Sequence, residues 1–233
     1  MFLAKIQDDV LNLILECPPE IPFESRWLPS VTKIESVKFA LLRRYDTEVV
    51  GRELYLARVT PTNEEIYVKF SRRYSRELHV FCADRGLAPE PLGFERLPGE
   101  WFGIAMRKIE VVDPCEIESF PELDTWKKDI RKLVDDFHEE GLVHGDLRLE
   151  NFIFTESSPR KMMLVDFDWG GKVGEARFPR GALPEELWPQ GKKPQRLDEL
   201  IAEEDDDRVL AKVFEQLDDL AARRVAGGSG MKT

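Results

Sequence analysis

Polar side chains that could bind a metal or move a proton are concentrated in LVHGDLRLEN, residues 142–151. Four residues separate Asp146 from Asn151, and Asp166 follows Asn151 by fifteen positions. A carboxylate beside a carboxamide supplies the hard oxygen ligands that Mg²⁺ prefers. A further carboxylate can orient a hydroxyl nucleophile and accept its proton. The residue types therefore permit a magnesium site at Asn151 and Asp166, with Asp146 as the base and Arg148 facing a transferring phosphoryl group.

A lysine within an apolar strand pattern is a second candidate for the site. Lys69 lies in IYVKF among aliphatic neighbours, and a charged side chain in such surroundings needs a partner. Glu77, on the helix predicted to follow, can provide that partner. An ion pair of this kind leaves the lysine placed to hold nucleotide phosphates. A purely structural ion pair between Lys69 and Glu77 is the alternative.

The elements that must position Lys69 are short apolar runs in the first half of the chain. Strands are predicted in KFALLRRY, ELYLARV and EIYVKF, which form a three-stranded antiparallel meander between Ile34 and Phe70. The stretch YSRELHVFCADRG predicts a helix that ends at Gly86. Two more strands are expected in PLGFERL and EWFGIAMRKI.

The strongest helical pattern precedes the polar stretch. Ile130, Leu133, Val134 and Phe137 recur at helical spacing, and Gly141 ends the pattern. After the stretch, NFIFT and KMMLVDFD predict a hairpin that folds Asp166 back beside Asn151. Proline-rich residues 170–198 are expected to be irregular. The acidic run EEDDD, residues 203–207, is interpreted only as the start of a last helix that reaches about Arg224.

Composition excludes several classes of function. The formal net charge of −11 argues against a partner that is a nucleic acid polymer and against anionic membranes. Cys17, Cys82 and Cys115 are widely spaced, so neither a disulfide framework nor a zinc site is expected. The chain start lacks the features of a signal peptide, and no apolar run reaches the roughly 18 residues of a membrane span. A cytoplasmic location, or a nuclear one, is predicted.

Three motifs in order carry a resemblance to a known superfamily. IYVKF, HGDLRLEN and DFD resemble the V-A-I-K, H-R-D-L-x-x-x-N and D-F-G motifs of the protein-kinase-like superfamily. The tracts GLAPEPLGF, LVDFDWGGKVGEARFP and LWPQG are most similar to fungal-type protein-kinase-like proteins. HGD and DFD also resemble aminoglycoside and choline phosphotransferases. The resemblance, over about Ile34 to Leu217, implies an α+β bilobal fold with a β-rich N-lobe and a shortened, mainly helical C-lobe.

The expected domain ranges follow from this reading. Residues 1–30 are predicted to form an N-terminal helix and linker, and residues 226–233 a disordered tail. The N-lobe is expected over residues 31–110 and the C-lobe over residues 111–225.

The resemblance also implies a role for individual residues, with ATP and Mg²⁺ as the ligands. Asp146 is expected to be the catalytic base, and Asn151 with Asp166 to hold magnesium. Lys69 is expected to contact the α- and β-phosphates, with Glu77 as its anchor. Nucleotide-binding roles are further implied for the gatekeeper position and for the backbone segment that would bind adenine, which are Met106 and Arg107 to Ile109.

The sequence departs from the kinase pattern in several places. No G-x-G-x-x-G occurs, and only Gly51 lies between the first two strands. Gly145 stands where H-R-D has arginine, which predicts that control by a phosphorylated activation loop is missing. Asp168 replaces the glycine of D-F-G, and the short C-terminal part leaves little room for a peptide-docking platform.

Three functional interpretations remain from the sequence. The first is a phosphotransferase acting on a hydroxyl acceptor, with protein Ser/Thr slightly favoured. The second is a small-molecule phosphotransferase, and the third is a pseudokinase that binds or scaffolds. His144 is expected to hold its loop in place, whereas His79 and His138 are expected to have no chemical role.

Overall fold

The computed structural model describes residues 28–45, 53–113, 117, 120–179, 184–188 and 199–228. Residues 1–27 of the expected N-terminal helix and linker, together with Gly51 and Cys115, lie outside these ranges. The chain divides into two compact units. The first contains the described residues up to Arg73 together with Glu90–Ile109, and the second contains Tyr74–Pro89 and the described residues from Glu110 onwards.

The first unit is built on a six-stranded antiparallel sheet, whose spatial order is β1-β2-β3-β4-β6-β5. This arrangement confirms the predicted meander and the two strands after it. The strands are Lys33–Ile34 (β1), Val37–Tyr45 (β2), Glu53–Val59 (β3), Glu65–Ser71 (β4), Pro91–Leu97 (β5) and Trp101–Arg107 (β6).

The two faces of strand β4 carry different side chains, and one of these faces packs into the core of the first unit. Ile66, Val68 and Phe70 are fully buried in the core of this unit. Because side chains alternate along a strand, Tyr67 and Lys69 point to the opposite face. The apolar alternation of the sequence therefore decides on which face the lysine lies.

Within its described residues, the second unit combines three α-helices with short strands. A three-stranded sheet has the order β10-β9-β7, and β11 pairs with β8. The helices are Arg76–Asp84 (α1), Leu123–Glu139 (α2) and Glu203–Gly228 (α3). The strands are Val111–Val112 (β7), Leu142–Val143 (β8), Phe152–Thr155 (β9), Met162–Leu164 (β10) and Gly171–Lys172 (β11).

Helix α2 supplies a large part of the second unit's core. Ile130, Leu133, Val134 and Phe137 are all buried, as their spacing predicts. Gly141, just beyond the helix, has a φ of 69°, a left-handed conformation that glycine adopts without the steric cost of a Cβ atom. The chain therefore turns at this glycine into β8 and the polar stretch.

Three details differ from the sequence-based expectation. Residues 74–89, expected with the first unit, belong to the second, because the Ser75 N–H donates to the Phe167 carbonyl at 2.9 Å. Helix α3 continues to Gly228 rather than ending near Arg224. Residues 170–198, expected to be irregular, contain β11 and a short 3-10 turn at Glu185–Leu187.

Within the described ranges, no helix has the length and apolar character that crossing a membrane requires.

Candidate functional site

The polar stretch forms a loop that leaves β8 and enters β9 through a 3-10 turn at Leu149–Asn151. Gly145 lies in this loop with a φ of 80°. A Cβ atom at this position would lie 2.5 Å from Cδ1 of Ile201. The glycine that replaces the arginine of H-R-D is thus required by the local backbone and by close packing.

Asp206 anchors the loop from the first turn of α3. Its Oδ2 accepts the N–H of His144 and its Oδ1 the N–H of Gly145, both at 2.7 Å. Its side chain is almost completely buried, and Nε2 of His138 lies 3.3 Å from Oδ2. Asp206 therefore accepts hydrogen bonds from two buried backbone N–H groups, and leaving these groups without an acceptor would be costly.

EEDDD begins α3, as expected, but the interpretation that it is only a helix start is wrong. Asp205 and Asp206 are both buried, and the Asp205 carboxylate accepts the N–H of Ala202 at 3.1 Å. The helical spacing contains a signal for Asp206, because Val209, Leu210, Val213 and Leu217, which are buried, fall on the same stripe of α3. An acidic residue in an apolar stripe needs a buried partner.

Asp146, the candidate base, is held by its own loop. Its Oδ1 accepts Nε–H of Arg148 at 2.6 Å, and its Oδ2 accepts from Nη2 at 3.1 Å. This bidentate, charge-assisted geometry is the strong form of the arginine–carboxylate pair. An ionised carboxylate has about four lone-pair sites, so Asp146 retains acceptor capacity for a hydroxyl proton.

Asn151 and Asp166 come together through the β9–β10 hairpin, as the sequence predicts. Phe152 pairs with Leu164, and the N–H of Val165 donates to the Asn151 carbonyl at 2.9 Å. The hairpin therefore places Asp166 one residue beyond the backbone partner of Asn151.

The Asn151 side chain is fixed by a hydrogen bond within the loop. Its Nδ2 donates to the backbone carbonyl of Asp146 at 2.8 Å. Since the amide nitrogen is engaged, the side-chain oxygen is the atom that could serve as a metal ligand. An oxygen from Asn151 and the carboxylate of Asp166 fit Mg²⁺, which binds through few protein oxygens and completes its shell with phosphates and water. Over the part of the chain that the structure describes, no three His, Cys, Asp or Glu side chains form a metal-binding group.

The histidines of the second unit are more engaged than the sequence indicates. His79 is fully buried, with Nδ1 2.8 Å from the Tyr74 hydroxyl and Nε2 2.8 Å from the Pro89 carbonyl. His144 accepts the N–H of Asp146 at Nδ1, which agrees with its expected loop-holding role. Burial lowers the pKa of His144 despite the nearby carboxylates of Asp206, Asp146 and Asp166.

In the first unit, the face of β4 that carries Lys69 is lined by apolar and aromatic side chains. Lys69 pairs with Leu54 on β3 and with Ile104 on β6, while Tyr67 pairs with Leu56 and Met106. Opposed residues share a face of the sheet. Only 8% of Lys69 is exposed. A nearly buried ammonium therefore lies next to a surface that suits a flat apolar ring.

The segment after Met106 is held by ion pairs. Arg107 Nη1 lies 2.7 Å from Glu64, and its Nε lies 2.7 Å from Glu90. These pairs connect the end of β6 to the turn before β4 and to the start of β5. They fix the side chain of Arg107, the first residue of the segment that the resemblance assigns to adenine binding.

Glu77, the expected anchor of Lys69, is 62% exposed in the first turn of α1. Its carboxylate lies 3.8 Å from Nζ of Lys172 on β11. Its pairing with Lys69 stays a prediction. The loop between β2 and β3, which contains Gly51, lies outside the described residues.

The comparison with solved structures supports the architecture. No protein-family model and no curated protein matches the chain. Among solved structures, it is similar to the kinase PK-1 of Cydia pomonella granulovirus, with 14% identity and a TM-score of 0.58. The match covers 77% of this chain and 70% of that one. At this identity the likeness shows the fold, and it confirms the protein-kinase-like α+β class with a β-rich first part and a helical second part.

Proposed function

We propose that this chain, whose fold is that of kinase-like phosphotransferases, transfers the γ-phosphate of ATP to a hydroxyl acceptor in a magnesium-dependent reaction. The observation that carries the proposal is the second unit's loop. It holds Asp146 by Arg148, orients Asn151 through the Asp146 carbonyl, and receives Asp166 from the hairpin. These are the groups that handle proton and metal, and they come from separate parts of the sequence.

In the proposed reaction, the Asp146 carboxylate accepts the proton of the acceptor hydroxyl. The acceptor oxygen then forms a bond to the γ-phosphorus, the bond from that phosphorus to the β,γ-bridging oxygen breaks, and ADP leaves. Arg148, beside Asp146, supplies positive charge near the transferring group. Catalysis rests on positioning and electrostatic stabilisation rather than on a covalent intermediate with the protein.

Asn151 and Asp166 are the residues proposed to hold Mg²⁺, which neutralises phosphate charge in such reactions. Lys69 is proposed to contact the α- and β-phosphates. The apolar face around Lys69, with Tyr67 and Met106, is proposed to receive the adenine ring, whose polar edge would meet the backbone of Arg107 to Ile109.

The acceptor class is part of the proposal. A protein Ser/Thr hydroxyl is slightly favoured because of the tracts that resemble fungal-type protein-kinase-like proteins. The HGD and DFD variants favour a small-molecule acceptor, as in aminoglycoside and choline phosphotransferases. To separate these classes, the protein would be incubated with γ-³²P-ATP and a cell extract, and the extract divided into protein and metabolite fractions. Label in the protein fraction supports the first, and label in the metabolite fraction supports the second.

A pseudokinase is the second candidate, and one observation favours it. Both oxygens of Asp146 already accept hydrogen bonds from Arg148, so the base is engaged before any acceptor arrives. The thermal shift with ATP tests nucleotide binding. We expect a shift that needs Mg²⁺ and that Asp166→Asn abolishes, with Asp84→Asn, at the end of α1, as the control. The absence of any shift in the wild type would favour a scaffold that binds no nucleotide.

A further inference from the structure

Three aromatic rings enclose Phe167, the residue that follows Asp166. His79 stacks on it with 4.6 Å between ring centroids and an interplanar angle of 14°. The edges of His144 and Tyr74 contact it with centroids at 5.5 and 6.2 Å. Phe167 itself is almost completely buried. Its ring therefore has little freedom as long as His79 keeps its orientation.

The orientation of His79 is determined by two hydrogen bonds. The Pro89 carbonyl can only accept, so Nε2 of His79 carries a hydrogen and donates to it. In the neutral ring, Nδ1 is then an acceptor, and the Tyr74 hydroxyl donates to it. Burial, with a smaller effect from Asp168 and Asp166, raises the pKa of Tyr74 well above its usual value, which keeps the hydroxyl a donor.

The backbone at Asp166 needs such support. Its φ is 66°, in the left-handed region that residues with a Cβ atom rarely adopt. Conformations of this kind persist only where the surroundings over-determine them. A hydrogen bond lies on each side, from Val165 N–H to the Asn151 carbonyl and from Ser75 N–H to the Phe167 carbonyl.

From this geometry we infer that Tyr74 and His79 are positioning residues, which hold Asp166 in its strained conformation through the ring of Phe167. The Tyr74 hydroxyl fixes the tautomer and plane of His79, and His79 presents its flat face to Phe167. Neither residue touches a substrate. The consequence for metal binding rests on the proposed role of Asp166.

The structural part of this inference can be tested in the metal-free protein. Tyr74→Phe removes one hydroxyl and keeps the ring. Loss of a buried hydrogen bond should speed amide hydrogen exchange at Ser75 and Val165 by about fivefold to tenfold. The matched control is Tyr55→Phe, since the Tyr55 hydroxyl donates to buried Glu53 at 2.7 Å in the first unit. The control should leave exchange at Ser75 and Val165 unchanged.

A stronger variant and a functional readout complete the experiment. His79→Leu removes both hydrogen bonds and the stacked ring, so its effect at Ser75 and Val165 should exceed that of Tyr74→Phe. In both variants, the Mg²⁺ concentration that gives half of the ATP-induced thermal shift should rise several-fold, by about the same factor as the exchange rate. The affinity for ATP without Mg²⁺ should stay the same.

The two kinds of failure are distinguishable. If the variants accelerate exchange evenly across the second unit, with no excess at Ser75 and Val165, the residues are merely structural and the inference is overturned. A local excess in exchange together with an unchanged Mg²⁺ requirement overturns the link to metal binding. A wild type with no Mg²⁺-dependent response overturns the proposed function, while the exchange result still decides whether Tyr74 and His79 position Asp166.

Discussion

In the second unit, the loop of residues 144–151 is held by buried polar contacts, whereas in the first unit the strand that carries Lys69 is held by backbone pairing and apolar packing. The loop depends on Asp206, which accepts two of its backbone N–H groups. Strand β4 is flanked by β3 and β6, and its core face is fully buried. The charged side chains of the loop thus depend on buried hydrogen bonds, whereas Lys69 depends on the pairing and packing of its strand.

This difference determines how each region should respond to mutation. The loop depends on one side chain, since removal of the Asp206 carboxylate leaves two buried N–H donors without an acceptor. A strand has many ladder bonds, so the loss of one side chain leaves the backbone in place. Substitutions in the loop's support should therefore affect stability and activity together, while substitution of Lys69 should affect mainly ligand binding.

The largest effect is expected for Asp206→Asn. The amide would direct a donor at one of the two N–H groups that the carboxylate now accepts, at a cost of about 3 kcal/mol of unfolding free energy. Loop displacement should lower any phosphoryl-transfer rate by about a hundredfold. Urea unfolding and activity assays check both effects. The control is Asp207→Asn, the exposed neighbour that pairs with Arg131; an equal effect in the control would refute a specific role for Asp206.

Gly145→Ala should destabilise the second unit by about 2–3 kcal/mol, from backbone strain and from overpacking against Ile201. Gly174→Ala separates the two causes, since Gly174 has a φ of 81° but no atom within 4 Å of an added Cβ. It should cost only about 1 kcal/mol, the strain of the backbone. Chemical denaturation measures the difference, and equal costs would show that contact with Ile201 does not matter.

Lys69→Met should weaken ATP binding by about tenfold, the effect of losing one charge-assisted contact. The unfolding free energy should change less than in Asp206→Asn, because β4 keeps its ladder bonds. Titration calorimetry with Mg-ATP measures the affinity, and Lys38→Met on β2 serves as the control. A large loss of stability with unchanged affinity would contradict the assignment of Lys69 to phosphates.

The smallest effect concerns pH. Since burial lowers the pKa of His144 in the folded state, the unfolded state binds more protons between that lowered value and the usual 6.5. Unfolding free energy should therefore decrease as the pH falls below 6.5, by at most about 1.4 kcal/mol per pH unit for one proton. Urea titrations at pH 7 and 5.5 should show a smaller decrease in His144→Gln. An identical decrease in both proteins would show that other groups cause it.

Much of the fold follows from local patterns in the sequence. The meander, helix α2 and the β9–β10 hairpin arise from periodicity and turn residues, which act over short distances. The joining of Asn151 and Asp166 was also predictable, because a hairpin fixes which residues oppose each other.

The support of the site was harder to predict, since it comes from long-range contacts. Asp206 lies about sixty positions after His144, and an acidic run at a helix start has an ordinary explanation in the helix dipole. His79 was expected to have no chemical role because neither Tyr74 nor Phe167 lies on α1. Only the packing of α1 in the second unit brings these groups together.

The most direct test of the central claim is to measure whether phosphate transfer depends on Asp146. Wild type and Asp146→Asn would be incubated with γ-³²P-ATP, Mg²⁺ and a cell extract, and the label in the acceptors counted. We predict transfer by the wild type that falls at least about a hundredfold in Asp146→Asn, while the Mg²⁺-dependent thermal shift with ATP is retained. Equal transfer by both proteins, or none by either, would contradict a phosphotransferase that uses Asp146 as its base.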